Sequence, residues 1–148
     1  MANFTTSGSV AGGLRVLSVL MGVFIVFMAM GKLAWFGDSG YLVAELERWR
    51  EFAPSMSRSY LDTVAIPGAP VFARLVVLGE LATGAALVTG VRIRLAATVA
   101  LLMILNFHVA MGVIFTYGYL TNGFGLPVVG GLLALAIGGT KLPLSLGR

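Results

Sequence analysis

Long apolar runs alternate with short polar segments along this chain. Val16 to Gly31 is uncharged, and with its flanking residues it predicts a first membrane span over about 12–35. The run from Val71 to Thr89 predicts a second span over about 70–90, although it contains Arg74 and Glu80. Helices of this length can cross about 30 Å of hydrocarbon.

Between Leu95 and Thr140 the sequence has no Asp, Glu, Lys or Arg. This stretch suits two crossings, and the Gly- and Asn-containing cluster from Tyr117 to Pro127 supplies residues for a turn between them. The predicted third and fourth spans are about 95–116 and 124–139. The expected fold is all-α, an integral membrane four-helix bundle forming one domain over residues 1–148.

The predicted external loop over 36–66 is too long to be a simple turn. Leu42, Leu46, Trp49 and Ala53 recur at helical spacing with charged residues around them, which predicts a short amphipathic helix. Aromatic residues near the outer boundary favour a position for this helix on the membrane surface, over the mouth of the bundle. The alternative is an ordinary surface loop.

Composition supports a membrane location. Of the 148 residues 58% are hydrophobic and 11% are charged, too few charges to cover the surface of a soluble domain. The mean hydropathy is +0.96. The net charge of +4 is scattered at the ends of apolar runs, so nucleic acid is not expected as a partner. The absence of Cys excludes disulfides and thiolate ligands.

The distribution of charge predicts the topology. Arg15, Arg92, Arg94, Lys141 and Arg148 all fall on one side of a four-span chain, and acidic residues concentrate in the loop on the other side. Because basic residues favour the cytoplasmic face, both termini are expected in the cytoplasm of a multi-pass inner (plasma) membrane protein. The first apolar run is longer than the core of a signal peptide, so it is expected to be retained.

Small residues recur every four positions on two of the predicted spans. They are Ala82, Ala86 and Gly90 on the second span and Gly130, Ala134 and Gly138 on the fourth. Such spacing lets helix backbones approach closely in lipid, where the hydrophobic effect does not drive helices together.

Glu80 lies near the middle of its span, where an ionised carboxylate is costly unless it is paired. Arg74, Lys32 and His108 are the available partners. One interpretation is a buried polar site that handles a proton or a polar head group, and the other is an ion pair that orders the bundle.

His108 is the sole histidine, which excludes bis-histidine haem and any metal site that needs two imidazoles from one chain. It is either an interior histidine hydrogen-bonded near Asn106 or one side of a pocket for a quinone-like ring, with Glu80 opposite. The hypothetical quinone or proton site comprises Glu80, His108, Lys32, Arg74 and Asn106. No metal and no intrinsic cofactor is expected.

The segment GELATGAALVTGVRIRLAA, with Glu80, Gly84, Gly90 and Arg94, resembles the second-span signature of the DoxX family of small four-span membrane proteins. Arg15 at the start of span one and Gly31-Lys32-Leu33 at its end are similar to the first-span pattern of that family. The resemblance implies a four-helix bundle related to the DoxD-type subunit of thiosulfate:quinone oxidoreductase. It also implies polar roles for Arg15, Lys32, Glu80 and Arg94.

Two functions from different classes follow. The first is a DoxX-like membrane subunit of a quinone-linked redox system, which would act only as part of a quinone-dependent oxidoreductase. The second is a non-catalytic accessory subunit that packs against a larger respiratory or photosynthetic membrane complex. Beyond the lipid bilayer, both lead us to expect other membrane-protein subunits or further copies of the chain as partners.

Overall fold

The computed structural model describes residues 3–114 and 116–146. In these ranges every regular element is helical and there is no strand, which confirms the all-α prediction. The helices are α1 Asn3–Met30, α2 Leu33–Gly37, α3 Gly40–Phe52, α4 Ser55–Tyr60, a π-helical turn Leu61–Ala65, α5 Ala69–Thr89, α6 Ile93–Met111, α7 Tyr117–Thr121 and α8 Leu126–Gly138.

Three of the described helices are long and apolar enough to cross a membrane, which indicates a membrane-embedded protein. They are Gly8–Met30 within α1, Ala69–Thr89 and Ile93–Met111. α8 is apolar but has 13 residues, which extend about 20 Å, less than the usual hydrocarbon thickness. The fourth crossing stays a prediction.

Glycine and proline explain where the helices begin and end. α6 ends at Met111 rather than near residue 116, because Gly112 adopts the left-handed conformation (φ +68°) that closes a helix. A turn at Gly31 and Lys32 separates α1 from α2 inside the predicted first span. α5 begins at Ala69 with Pro70 in its first turn, where the missing N–H of proline costs nothing.

The helices α1 and α5 cross at close range. A Cβ atom added to Gly22 would lie 2.7 Å from the backbone nitrogen of Val88 and 2.7 Å from the carbonyl oxygen of Gly84. One added to Gly84 would lie 3.0 Å from the carbonyl oxygen of Gly22. Glycine at both positions therefore sets the separation of the two helices.

Two arginines stabilise helix ends at the face of the bundle that carries both terminal segments. Arg15 donates to the carbonyl oxygens of Leu87 and Val88 at the end of α5, at 3.0 and 2.7 Å. Arg94 donates to the carbonyl oxygen of Ala136 near the end of α8, at 2.9 Å. Terminal carbonyls of a helix lack partners within the helix, and cations also favour the negative end of the helix dipole.

The segment between α1 and α5 packs on the opposite end of the bundle. Leu42 and Leu46 of α3 are buried in a cluster that also contains Ala69 and Ala73 of α5 and Ala110 of α6. On its other side α3 is charged: Arg50 donates to Asp62 at 2.5 Å, and this hydrogen bond raises the pKa of Arg50. α3 lies within the segment 36–66, and the amphipathic helix on the membrane surface stays a prediction.

The predicted orientation can be tested by labelling cysteines with an impermeant thiol reagent. Met56, 79% exposed within α4, and Leu146, 80% exposed at the opposite end, suit this purpose, since the chain has no native cysteine. With cytoplasmic termini, Met56→Cys should be labelled in intact cells and Leu146→Cys only after permeabilisation. Ser57 is a poor labelling site, because it is buried and donates to Val109. The reverse labelling pattern would contradict the predicted topology.

Candidate functional site

A cavity of about 800 Å³ lies between α1, α5, α6 and the segments that cover them. Its walls are formed largely by aromatic, aliphatic and methionine side chains, with a few polar groups among them. A volume of this size and an apolar lining with few polar groups are typical of sites for small organic ligands.

The central polar feature of the cavity is an ion pair between Lys32 and Glu80. Lys32 Nζ lies 2.7 Å from Oε1 and 2.8 Å from Oε2 of Glu80, and the two side chains are 14% and 8% exposed. The ammonium also lies 5.7 Å from the ring centroid of Phe107 and 5.9 Å from that of Trp35. Aromatic faces at these distances attract a cation, so the pair is stabilised in an apolar setting.

The local fold explains how these two residues meet. Glu80 lies in the middle of α5 and is buried, and Lys32 follows the end of α1. The close crossing at Gly22 and Gly84 holds α1 against α5 and so brings the long lysine side chain within reach of the carboxylate. Thr83, one turn after Glu80, is also buried and donates to the carbonyl oxygen of Gly79.

His108 lines the same cavity and is 7% exposed. Its ring packs edge-on against Tyr119, with centroids 5.0 Å apart and an interplanar angle of 77°. Within the described residues, the buried Nδ1 atom has no hydrogen-bond partner. Buried polar atoms are usually satisfied, so this nitrogen lacks the partner that such an atom normally has.

Three of the five candidate site residues share the cavity: Glu80, Lys32 and His108. Arg74 is exposed and donates to the carbonyl oxygen of Pro70 in its own helix, and it does not line the cavity. Asn106 is also exposed and accepts a hydrogen bond of 2.8 Å from Tyr60. The structure therefore does not bring Arg74 and Asn106 to the ion pair.

The aromatic walls are the part of the site that sequence patterns did not reveal. Trp35 and Trp49, expected at the membrane boundary, line the cavity, and so does Tyr119 from the predicted turn region. Trp49 donates through Nε1 to Glu45 at 2.7 Å, which fixes the indole at the cavity edge. The glycines of Tyr117–Pro127 were a sequence signal of close packing around Tyr119. A Cβ atom added to Gly125 would lie 2.1 Å from the carbonyl oxygen of Tyr119, so this turn needs glycine there.

Within residues 3–114 and 116–146, no three His, Asp or Glu side chains converge as a metal site. Comparisons with models of protein families, with curated proteins and with solved structures find no match for this chain. Functional conclusions therefore rest on the cavity and its residues.

Proposed function

We propose that this chain is a DoxX-like membrane subunit of a quinone-linked redox system and that its cavity binds the ring of a quinone. The observation that carries the proposal is His108, which lines an aromatic cavity beside a buried ion pair and whose buried Nδ1 has no partner among the described residues. The four-span topology and the inner-membrane location belong to the same proposal.

The chemistry of the cavity suits such a ring. A quinone presents a flat apolar face, which packs well against aromatic walls, and two carbonyl oxygens, which accept hydrogen bonds. With its proton on Nδ1, His108 donates to one of these oxygens. Lys32 has three N–H donors and uses two on Glu80, so one remains for a ligand oxygen.

Glu80 and His108 also provide proton-exchanging groups beside the ring. Reduction of a quinone to a quinol takes two electrons and two protons, and in this proposal the electrons come from a partner subunit. Glu80 is held next to Lys32 and exchanges a proton as the charge of the ligand changes, while His108 holds or passes a proton at Nδ1. The apolar walls lower the local dielectric constant and so strengthen these hydrogen bonds.

Quinone binding can be followed through the two tryptophans of the chain, because both line the cavity. Titrating a short-chain quinone into the detergent-solubilised protein should quench tryptophan fluorescence to saturation. His108→Phe fills the same space without a ring nitrogen and should weaken binding roughly tenfold, the effect of about one hydrogen bond. Glu80→Gln should weaken it as well.

Thr98→Val on α6 serves as the matched control, since its hydroxyl bonds only to the carbonyl oxygen of Arg94 in this helix and it lies outside the cavity. This variant should bind quinone with wild-type affinity. Saturable quenching that is unchanged by His108→Phe and Glu80→Gln would contradict the proposed site. Absence of quenching, together with co-purification of a large membrane complex, would favour the accessory-subunit function.

A further inference from the structure

A second cavity lies at the opposite end of the bundle from α3. It has a volume of about 330 Å³ and is formed by the turn between α5 and α6 and by the segment after α8. Arg92, Arg94 and Lys141 all line it. A concentration of cations in one groove at the end of membrane helices suits an anion.

Of these three cations, one bonds to another group of the protein. Arg94 donates to the carbonyl oxygen of Ala136, as described above. In the described part of the chain the side chains of Arg92 and Lys141 have neither an acidic partner nor a hydrogen bond. All six acidic residues of the sequence lie between Asp38 and Glu80, outside the segments that form this groove.

Two further features of the groove favour a phosphate-type ligand. The first is Ser145, whose buried Oγ has no hydrogen-bond partner among the described residues and which lines the same cavity. The second is the start of α6, where Arg92 provides no side-chain cap for the first N–H groups of the helix. Free N–H groups and the positive end of a helix dipole both favour an anion.

The backbone at these two cations is unusual. Arg92 and Lys141 adopt the left-handed conformation, with φ of +45° and +52°, which is uncommon for residues other than glycine. Such conformations persist where the surrounding structure imposes them, often at ligand sites. Beside the cations, Leu95 is 55% exposed and provides an apolar wall on the outer side of the bundle.

We propose that this groove binds a phosphate-bearing anion through Arg92 and Lys141. The two sources of that chemistry are the head group of an anionic membrane lipid and free phosphate. The exposed Leu95 beside the cations favours the lipid, because a lipid presents apolar chains next to its phosphate.

The test measures binding of phosphatidylglycerol to the full chain in neutral detergent by native mass spectrometry. Each cation near a phosphate contributes about fivefold in affinity, so Arg92→Gln with Lys141→Gln should weaken phosphatidylglycerol binding roughly 25-fold. The control, Arg50→Gln with Arg58→Gln, removes the same charge at the opposite end and should bind as the wild type does. Unfolding midpoints of all variants establish that they are folded.

Excess inorganic phosphate distinguishes the two sources. If phosphatidylglycerol stays bound in excess phosphate, the occupant is the lipid. If phosphate displaces the lipid, and phosphate binding is itself lost in the Arg92 and Lys141 variant, the occupant is the free anion. Either result supports the site. Binding that is unchanged in that variant, or that falls equally in the control, would overturn the proposal.

Discussion

Lys32→Met should lower the free energy of unfolding by about 3–5 kcal/mol, the cost typical of removing one partner from a buried ion pair. The reason is that the carboxylate of Glu80, buried in the middle of α5, loses both of its short contacts to the ammonium. No other described side chain donates to this carboxylate. The measurement is the unfolding equilibrium of the detergent-solubilised protein as SDS is added.

A double substitution separates loss of the pair from loss of packing. Lys32→Met with Glu80→Leu removes both charges and leaves apolar side chains of similar volume, so stability should return to near the wild-type value. Arg50→Gln, which breaks the exposed pair with Asp62, should cause no measurable change. If the double variant is as unstable as Lys32→Met alone, the charges are not the cause.

The same double variant also tests the proposed function. If the ion pair only orders the bundle, the stable double variant should keep its affinity for quinone. If Lys32 and Glu80 contact the ligand, that affinity should fall although the protein remains folded. This comparison decides between the two interpretations of Glu80 that the sequence leaves open.

The ion pair was partly predictable, because an acidic residue in the middle of an apolar run needs a partner and few ionisable residues lie on other spans. Sequence spacing could not choose between Lys32, Arg74 and His108. That choice depends on how α1 and α5 cross. Arg74 lies in the same helix as Glu80, but its guanidinium bonds to the carbonyl oxygen of Pro70 instead.

The aromatic residues show why the rest of the site was not predictable. Tryptophans near the end of a span suit both the lipid head-group layer and an internal wall, and hydropathy does not distinguish the two. Trp35 and Trp49 line the cavity, whereas Phe52, from the same segment, is 84% exposed. The inward positions result from the way in which α3 folds back over the bundle, which is a tertiary property.

The small-residue pattern was similarly incomplete. The backbones of α1 and α5 approach closely at Gly22 and Gly84, which lie outside the four-residue repeats seen in the sequence. Gly130 belongs to a repeat, yet a Cβ added there would have no neighbour within 4 Å. A repeat of small residues indicates that some face can pack closely, but the crossing angle decides which glycine meets a backbone.

Gly22→Ala should destabilise the protein by about 3 kcal/mol, at the upper end of the range for overpacking. The added methyl group would lie 2.7 Å from the backbone nitrogen of Val88 and from the carbonyl oxygen of Gly84. Because these are backbone atoms, no side-chain rotation relieves the contact, and α1 must move away from α5. SDS-induced unfolding measures this loss.

Gly130→Ala on α8 is the matched control, since it adds the same methyl group in open space within a helix. Alanine favours helix over glycine, so this variant should be as stable as the wild type or slightly more stable. Equal stability of Gly22→Ala and Gly130→Ala would contradict the close crossing.

Separation of α1 from α5 also moves Lys32 away from Glu80, so Gly22→Ala should weaken quinone binding although residue 22 does not line the cavity. When Gly22→Ala is added to the Lys32→Met, Glu80→Leu double variant, the loss of quinone affinity should be smaller, because the effect of Gly22→Ala acts through the ion pair.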